Sequence, residues 1–366
     1  MLRSRVVAVA AAAATVCAGV LVTGGSASAN DRDGHHPGFN GGLPLPAHVF
    51  APYFETYNPD SLSGLSKASG AKFLTLAFLQ TDKPGSCDVY WNGDTSTPVS
   101  WAVYGSDIAK IRAAGGDVVP SFGGYSADTF GTEIADSCTD VKKIAQVYEN
   151  VITTYGVTRL DFDVESNPGS LSNQAGIDRR NKAIKLVEDW AWRTHRVVQF
   201  VYTLPTEPQG LESDGLNVLQ NAVANHARVD IVNIMTFDYY DETSPTQTHE
   251  MATATITAAN GLHQQLAKLY PHRSSSWLWR MIGVTEMPGE DDYGPQETFT
   301  KADAVTVERW AKSKGLAELS FWALQRDNGS CPGGGAQDTC SGIAQPTWYF
   351  SHVFEPFTSH RIGWWS

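Results

Sequence analysis

The sequence predicts a single (β/α)8 barrel, and three observations carry that prediction. Eight short apolar runs, rich in β-branched and aromatic residues, recur along the chain as strands buried on both faces would. Segments with apolar residues at three- and four-residue steps lie between them, the spacing of amphipathic helices. The alternation runs unbroken over residues 47–358 with no linker or repeat array to divide it. An open doubly wound sheet, the rival α/β arrangement, wants a glycine-rich phosphate turn after its first strand. APYFETYNP occupies that place and has no glycine.

In chain order, the strands are HVFAPY (48–53), KFLTLAFL (72–79), DVVPSF (117–122), RLDFDVE (159–165), VVQFVYTL (197–204), VDIVNIMTF (229–237), RMIGVTEM (280–287) and AELSFWAL (317–324). The helical patterns cover 106–114, 139–155, 177–194, 215–226, 251–269 and 301–314. Ile144, Val147, Tyr148 and Ile152 show the period in the second of these, and Gly115 and Gly315 end two of the others.

The first 29 residues have the three-part layout of a secretory signal peptide. Arg3 and Arg5 begin it, an uncharged apolar run extends to Val22, and Ala27-Ser28-Ala29 makes a small-residue cleavage site. A membrane anchor is the alternative, but the run is short and rich in weakly hydrophobic Ala. Cys17 follows Val16, where a lipid attachment site wants a small residue. The expectation is therefore a secreted, extracellular protein with no membrane association after cleavage. Residues 30–46, rich in Gly, Pro, Asp, Asn and His, read as a flexible lead-in that includes His35-His36, and 359–366 as a C-terminal tail.

Beyond the leader the cysteines are Cys87, Cys138, Cys331 and Cys340, an even number that in an exported chain favours two disulfides. Cys331 and Cys340 bracket the loop PGGGAQDT, so they are expected to pair, leaving Cys87 to Cys138. The spacing has no CxxC, so no zinc site is expected. The formal net charge is −12, and losing Arg3 and Arg5 makes it two units more negative. That excludes a partner bound through nucleic-acid phosphates, which needs a cationic face. Eleven Trp, 13 Tyr and 15 Phe suit a protein that stacks rings on flat, neutral ligands.

The chemistry concentrates on the fourth strand. Asp161, Asp163 and Glu165 are two residues apart, so all three face one side while Leu160, Phe162 and Val164 face the helices. Carboxyls stacked inside a barrel repel one another and lose hydration, a cost that a purely structural role seldom warrants. A calcium or magnesium site is one alternative reading. Glu165 lies nearest the functional rim, where its neighbours can keep it protonated as a general acid, as cleavage of a glycosidic bond requires.

These residues resemble glycoside hydrolase family 18, the chitinases and their relatives, in the bacterial and archaeal subgroup with the short DxDxE motif. The family's DGxDxDxE aligns with residues 158–165, with DxDxE intact and the leading Asp-Gly replaced by Thr158-Arg159. Ser121-Phe122-Gly123-Gly124 matches SxGG, Met235-Thr236-Phe237-Asp238 is close to MxYD, and Phe321-Trp322-Ala323-Leu324 ends the eighth strand. The resemblance covers about residues 50–357. It implies a chitinase acting on chitin or chito-oligosaccharides with retention, by substrate-assisted catalysis through an oxazolinium ion and without metal or cofactor; a monomer is the default expectation. Glu165 would be the acid/base, Asp163 would orient the acetamide, and Asp161 would tune Asp163. Asp238, Met235 and Tyr239 would contact the sugar, with Trp322 beneath it. The family's strand-six tyrosine falls on Phe237, so either Tyr239, Tyr240 or Tyr202 supplies the missing hydroxyl or turnover is reduced. Two other functions share the resemblance: an endo-β-N-acetylglucosaminidase acting on the chitobiose core of glycoproteins, and a non-catalytic chitin-binding lectin-like barrel.

Trp91, Trp101, Tyr125, Tyr239 and Tyr240 follow strands and are candidates for further sugar contacts. Trp190 and Trp192 fall in a helix pattern and read as packing residues. Glu290-Asp291-Asp292 reads as a solvated acidic cluster, with a glucosamine unit or calcium as its functional alternative. No nucleophile elbow, HExxH or P-loop pattern occurs.

Overall fold

In the computed structural model, residues 44–166, 168–239 and 250–358 are described. The proposed leader, most of the lead-in including His35-His36, Tyr240 and the C-terminal tail lie outside them.

Each of the eight apolar runs lies over a strand of one parallel sheet. We label these β1 (two segments, Val49–Phe50 and Tyr53–Glu55), β2 (Phe73–Thr81), β3 (Asp117–Gly123), β4 (Arg159–Asp163), β5 (Gln199–Pro205), β6 (Ile231–Met235), β7 (Ile282–Glu286) and β8 (Glu318–Phe321). Consecutive strands pair from β2 to β8. The first segment of β1 pairs with β8, in the register Val49 opposite Glu318, and the second with β2, in the register Tyr53 opposite Thr75. One broken strand thus joins both ends of the sheet, and the result is a (β/α)8 barrel.

The helices that follow the strands are α1 (Leu62–Ser69), α2 (Gly105–Ala113), α3 (Val141–Tyr155), α4 (Gln174–Arg193), α5 (Ser213–Ala224), α6 (Met251–Leu269), α7 (Lys301–Lys314) and α8 (Tyr349–Phe354). α3 shows why they form and where they face. Asp140 caps it by accepting the N–H groups of Lys142 and Lys143, and Gly156 ends it in the left-handed conformation. Between those caps Ile144, Tyr148, Val151, Ile152 and Tyr155 make one buried stripe. Tyr148 meets Phe122 and Phe162 edge-on at ring separations of 4.9 and 5.0 Å, joining α3 to the outward faces of β3 and β4. No helix among the described residues is long and apolar enough to cross a membrane.

Strand alternation sends the other residues inward, and the barrel interior is polar. At its lower end Arg159 donates to Glu318 at 2.8 Å and to Gln199 at 2.9 and 3.2 Å. Above this, Asn233 donates to Thr203 at 3.1 Å and to Thr285 at 2.7 Å. These pairings across the barrel spare Arg159, Glu318, Thr203 and Thr285 the penalty of being desolvated and unpaired.

Both expected disulfides are present, Cys87–Cys138 and Cys331–Cys340. The first joins the loop after β2 to the end of the short helix Ile134–Ser137, and the second closes a loop after β8.

Candidate active site

At the carboxyl ends of the strands lies a cleft of about 790 Å³. Asp163, Glu165, Met235, Phe237, Asp238 and Trp322 all line it, and so do Tyr53, Phe78 and Tyr125. Asp161 and Asp163 of β4 and Glu165 just beyond it occupy successive depths. Asp161 is enclosed by hydroxyls: Ser121 and Tyr53 donate to Oδ2 at 2.6 and 3.0 Å, and Thr203 donates to Oδ1 at 2.6 Å. Burial raises its pKa to about 6 even though those three donors favour the charged form.

Asp163, one layer higher, is 4% exposed, and its Oδ1 has no protein partner. Burial, and then the charges of Glu165, Asp161 and Asp128, hold it well above the usual carboxylate range. Glu165 lies just past the strand, partly exposed to the cleft. Burial raises it to about 7, with Asp238 adding to the effect. A group poised there is protonated below neutral pH and can return as a base after giving up its proton.

The fold fixes this geometry through two glycines. Gly123, with φ +103°, lies so close to β4 that a Cβ would stand 2.0 Å from the Asp163 carbonyl oxygen. Gly124, with φ +87°, gives its Cβ position to the Phe78 ring, only 2.5 Å away. Only glycine allows both the left-handed backbone and the close approach. Beside them Phe78 and Trp322 stack at 5.6 Å with planes 10° apart, and Tyr53 leans on Trp322 at 5.7 Å. The cleft thereby gains an apolar aromatic surface next to its carboxyls.

Two residues escaped the sequence reading. Asp128, on the short helix Tyr125–Phe130, accepts the Glu165 N–H at 2.7 Å and so holds the peptide that carries the acid. Burial raises its own pKa, with Glu165 and Glu133 adding to it. No local pattern marked it. Tyr53 could have been found, because alternation along APYFE turns it inward with Ala51.

The tyrosines expected to replace the missing hydroxyl at Phe237 are elsewhere. Tyr202 is fully buried on the outward face of β5, where its hydroxyl donates to Asn181 of α4 at 2.9 Å. Its neighbour Thr203 takes the inward position, so Tyr202 is not a cleft residue. Tyr239 is 3% exposed and packs away from the cleft with its hydroxyl beside Thr255 of α6. Trp91 is also a core residue, donating to Tyr155 at 2.9 Å, while Trp101 is exposed outside the cleft lining. Tyr125 is 68% exposed on the cleft wall. Trp192, read as a packing residue, is 81% exposed because its position on α4 faces water. Asp291, read as solvated, is 1% exposed. Among the described residues no group of three or more His, Cys, Asp or Glu is arranged to hold a metal.

Residues 49–280 match the family described as Glycosyl hydrolases family 18. A probable bifunctional chitinase/lysozyme of Escherichia coli (strain K12) is 35% identical over 326 residues, which span 86% of this chain and 35% of that protein. Endochitinase 11 of Metarhizium anisopliae is 34% identical over 291 residues, spanning 77% of this chain and 53% of that one. The chain thus spans from about a third to about half the length of these curated relatives. The catalytic domain of a hyperthermophilic chitinase from Pyrococcus furiosus superposes with a TM-score of 0.73 at 32% identity, covering 86% of this chain and 96% of that domain. A family 18 chitinase from Cycas revoluta in complex with (GlcNAc)3 has a TM-score of 0.57 at 12% identity, covering 84% and 99%, which is a likeness of fold alone.

Proposed function

Because the chain belongs to glycosyl hydrolase family 18, we propose that it is a secreted chitinase that hydrolyses β-1,4 bonds between N-acetylglucosamine units with retention. The observation that carries this reading is the arrangement of Glu165 and Asp163 in one cleft with Trp322, the acid raised to about 7 and its neighbour held well above the usual carboxylate range. Relatives described as chitinases, and the Pyrococcus catalytic domain above all, support the substrate class.

Glu165 donates its proton to the glycosidic oxygen as the bond to the anomeric carbon breaks. The carbonyl oxygen of the substrate's own acetamide attacks that carbon from the opposite face, giving an oxazolinium ion and no glycosyl-enzyme bond. Asp163 accepts a hydrogen bond from the acetamide N–H and offsets the positive charge that develops there. Asp161, held by three hydroxyls behind Asp163, tunes the protonation of Asp163. Glu165, now a carboxylate, takes a proton from water as the water adds to the anomeric carbon and opens the ring. Two inversions give net retention. Asp238 binds the acetamide, and Trp322 underlies the sugar's apolar face.

The test is product analysis on N-acetylglucosamine oligomers, fully deacetylated oligomers and a high-mannose glycopeptide, each with wild type and Glu165→Gln. The expected result is cleavage of the acetylated oligomers alone, retention at the new reducing end, and loss of cleavage in the variant. Cleavage of the glycopeptide alone would assign the endo-β-N-acetylglucosaminidase reading instead. Oligomer binding by a wild type that cleaves none of the three would assign the lectin-like one.

A further inference from the structure

Asp238 has an unusual support. It sits in the left-handed region at φ +49°, where a non-glycine residue needs its surroundings to hold it. The surroundings are a hairpin after β7, formed by Gly289–Asp291 and Gly294–Phe299. Asp291 Oδ2 accepts the Asp238 N–H at 2.9 Å, and Glu297 Oε2 accepts the Tyr239 N–H at 2.8 Å. In return, Asp238 Oδ1 accepts the N–H groups of Asp292 at 2.9 Å and Tyr293 at 3.2 Å. The exchange is reciprocal: the hairpin's carboxyls hold the backbone of the Asp238 loop, and the hairpin's backbone holds the Asp238 carboxyl.

Asp291 cannot be replaced by its amide without loss. Its Oδ1 also accepts from Tyr293 at 3.1 Å and Gly294 at 3.3 Å, so three N–H groups converge on two oxygens. Asparagine has one such oxygen and would turn its own N–H₂ toward a donor. Asp291 and Glu297 are 1% and 0% exposed, and burial raises the pKa of both. Neither residue lines the cleft, but Asp238 does. With Oδ1 engaged by the hairpin, Oδ2 is the oxygen that Asp238 offers to a ligand.

Resting on the proposed role of Asp238 in binding the acetamide, we propose that Asp291 and Glu297 are positioning residues, a buried carboxyl pair that holds the Asp238–Tyr239 backbone and thereby aims Asp238 Oδ2 into the cleft. They act through Asp238 and touch no substrate.

A double-mutant cycle tests this with the N-acetylglucosamine tetramer. Asp291→Asn is expected to lower kcat, expressed per folded enzyme from urea unfolding of the same sample, about tenfold with KM changed less than about threefold. In an Asp238→Asn background, the same substitution is expected to lower kcat less than about twofold further. Amide hydrogen exchange, read on peptides covering residues 236–239, is expected to quicken in Asp291→Asn. Glu297→Gln is expected to act in the same direction more weakly, and it carries the same measurements if Asp291→Asn does not fold. The proposal is overturned if either substitution slows the Asp238→Asn enzyme as much as it slows wild type, or if the amides stay protected. A wild type that cleaves no oligomer would sink the chitinase reading instead, and the exchange data would still decide the role of the carboxyl pair.

Discussion

Replacing Glu165 by Gln has a consequence for stability as well as for rate, and its size follows from the environment of the carboxyl. Burial raises Glu165 from 4.5 to about 7. Each unit is worth about 1.4 kcal/mol, so the folded protein opposes ionisation by roughly 3 kcal/mol relative to the unfolded chain. Glu165 is partly open to the cleft, and screening by water brings this to about 1–3 kcal/mol. A carboxyl with a raised folded value stabilises the fold in its protonated form. That contribution is fully present below about 4.5 and is lost as pH rises through about 7. Glutamine has no such titration. The variant is therefore expected to match wild type at about pH 4 and to exceed it at about pH 8 by roughly 1–3 kcal/mol, or about 2–6 °C in Tm for a domain of this size. Hydrolysis of N-acetylglucosamine oligomers should meanwhile fall by about 10²–10⁴. Urea unfolding of both proteins at three pH values measures the first effect, and initial rates measure the second. A stability difference that stays constant with pH would refute the reasoning, because it would mean that Glu165 is not strained by its own charge. The wild-type kcat/KM should show the same titration as an alkaline limb, with activity lost as pH rises through about 7.

Asp163→Asn is expected to lower kcat by about a hundredfold while KM on the tetramer moves less than about threefold, since its proposed partner is charge that develops only in the transition state; an unchanged kcat would point away from substrate assistance. Phe237→Tyr places a hydroxyl on the cleft wall, and a net gain of about 0.5–1.5 kcal/mol per hydrogen bond predicts a kcat/KM about 2–10 times higher, checked by initial rates at low substrate. Arg159→Met leaves Glu318 buried without its partner and is expected to cost about 3–5 kcal/mol in urea unfolding, most of it recovered in the Arg159→Met, Glu318→Leu double variant.

The fold was legible because its strands carry their own period. In RLDFDVE the acids and the apolar residues alternate without a break, and the structure has Asp161 and Asp163 inside the barrel with Phe162 stacked outside at 5.8 Å from Phe122. α1 and α8 were not seen. LSGLSKAS and YFSHVF are short, and neither contains enough turns for a 3.6-residue period to show. The hairpin after β7 was hidden for another reason. GEDDYGPQETF has no apolar alternation, and the groups that Asp291 and Glu297 hold lie 53 and 58 residues away in sequence. A run of three acids reads as solvated when its partners are backbone N–H groups from another loop.

The two misplaced tyrosines and the altered motif show what a residue's identity leaves open. A tyrosine near a barrel's rim has the right chemistry for a sugar, but strand parity decides which side it reaches. Thr203 faces inward with Asp161, so Tyr202 must face out, and that inference was available from the alternation alone. Tyr239 lies past the last residue of β6, where parity no longer applies and the hairpin's grip on the backbone sets its direction. Arg159 works the other way. It stands where the family's motif has glycine, and parity turns it inward below the acids. A guanidinium there would be an unpaired buried charge unless another strand supplied a carboxyl, and Glu318 on β8 does so at 2.8 Å. The departure from the motif is therefore accommodated by an ion pair at the bottom of the barrel, two layers below Asp163, and the arrangement of Asp163 and Glu165 at the rim stands above it.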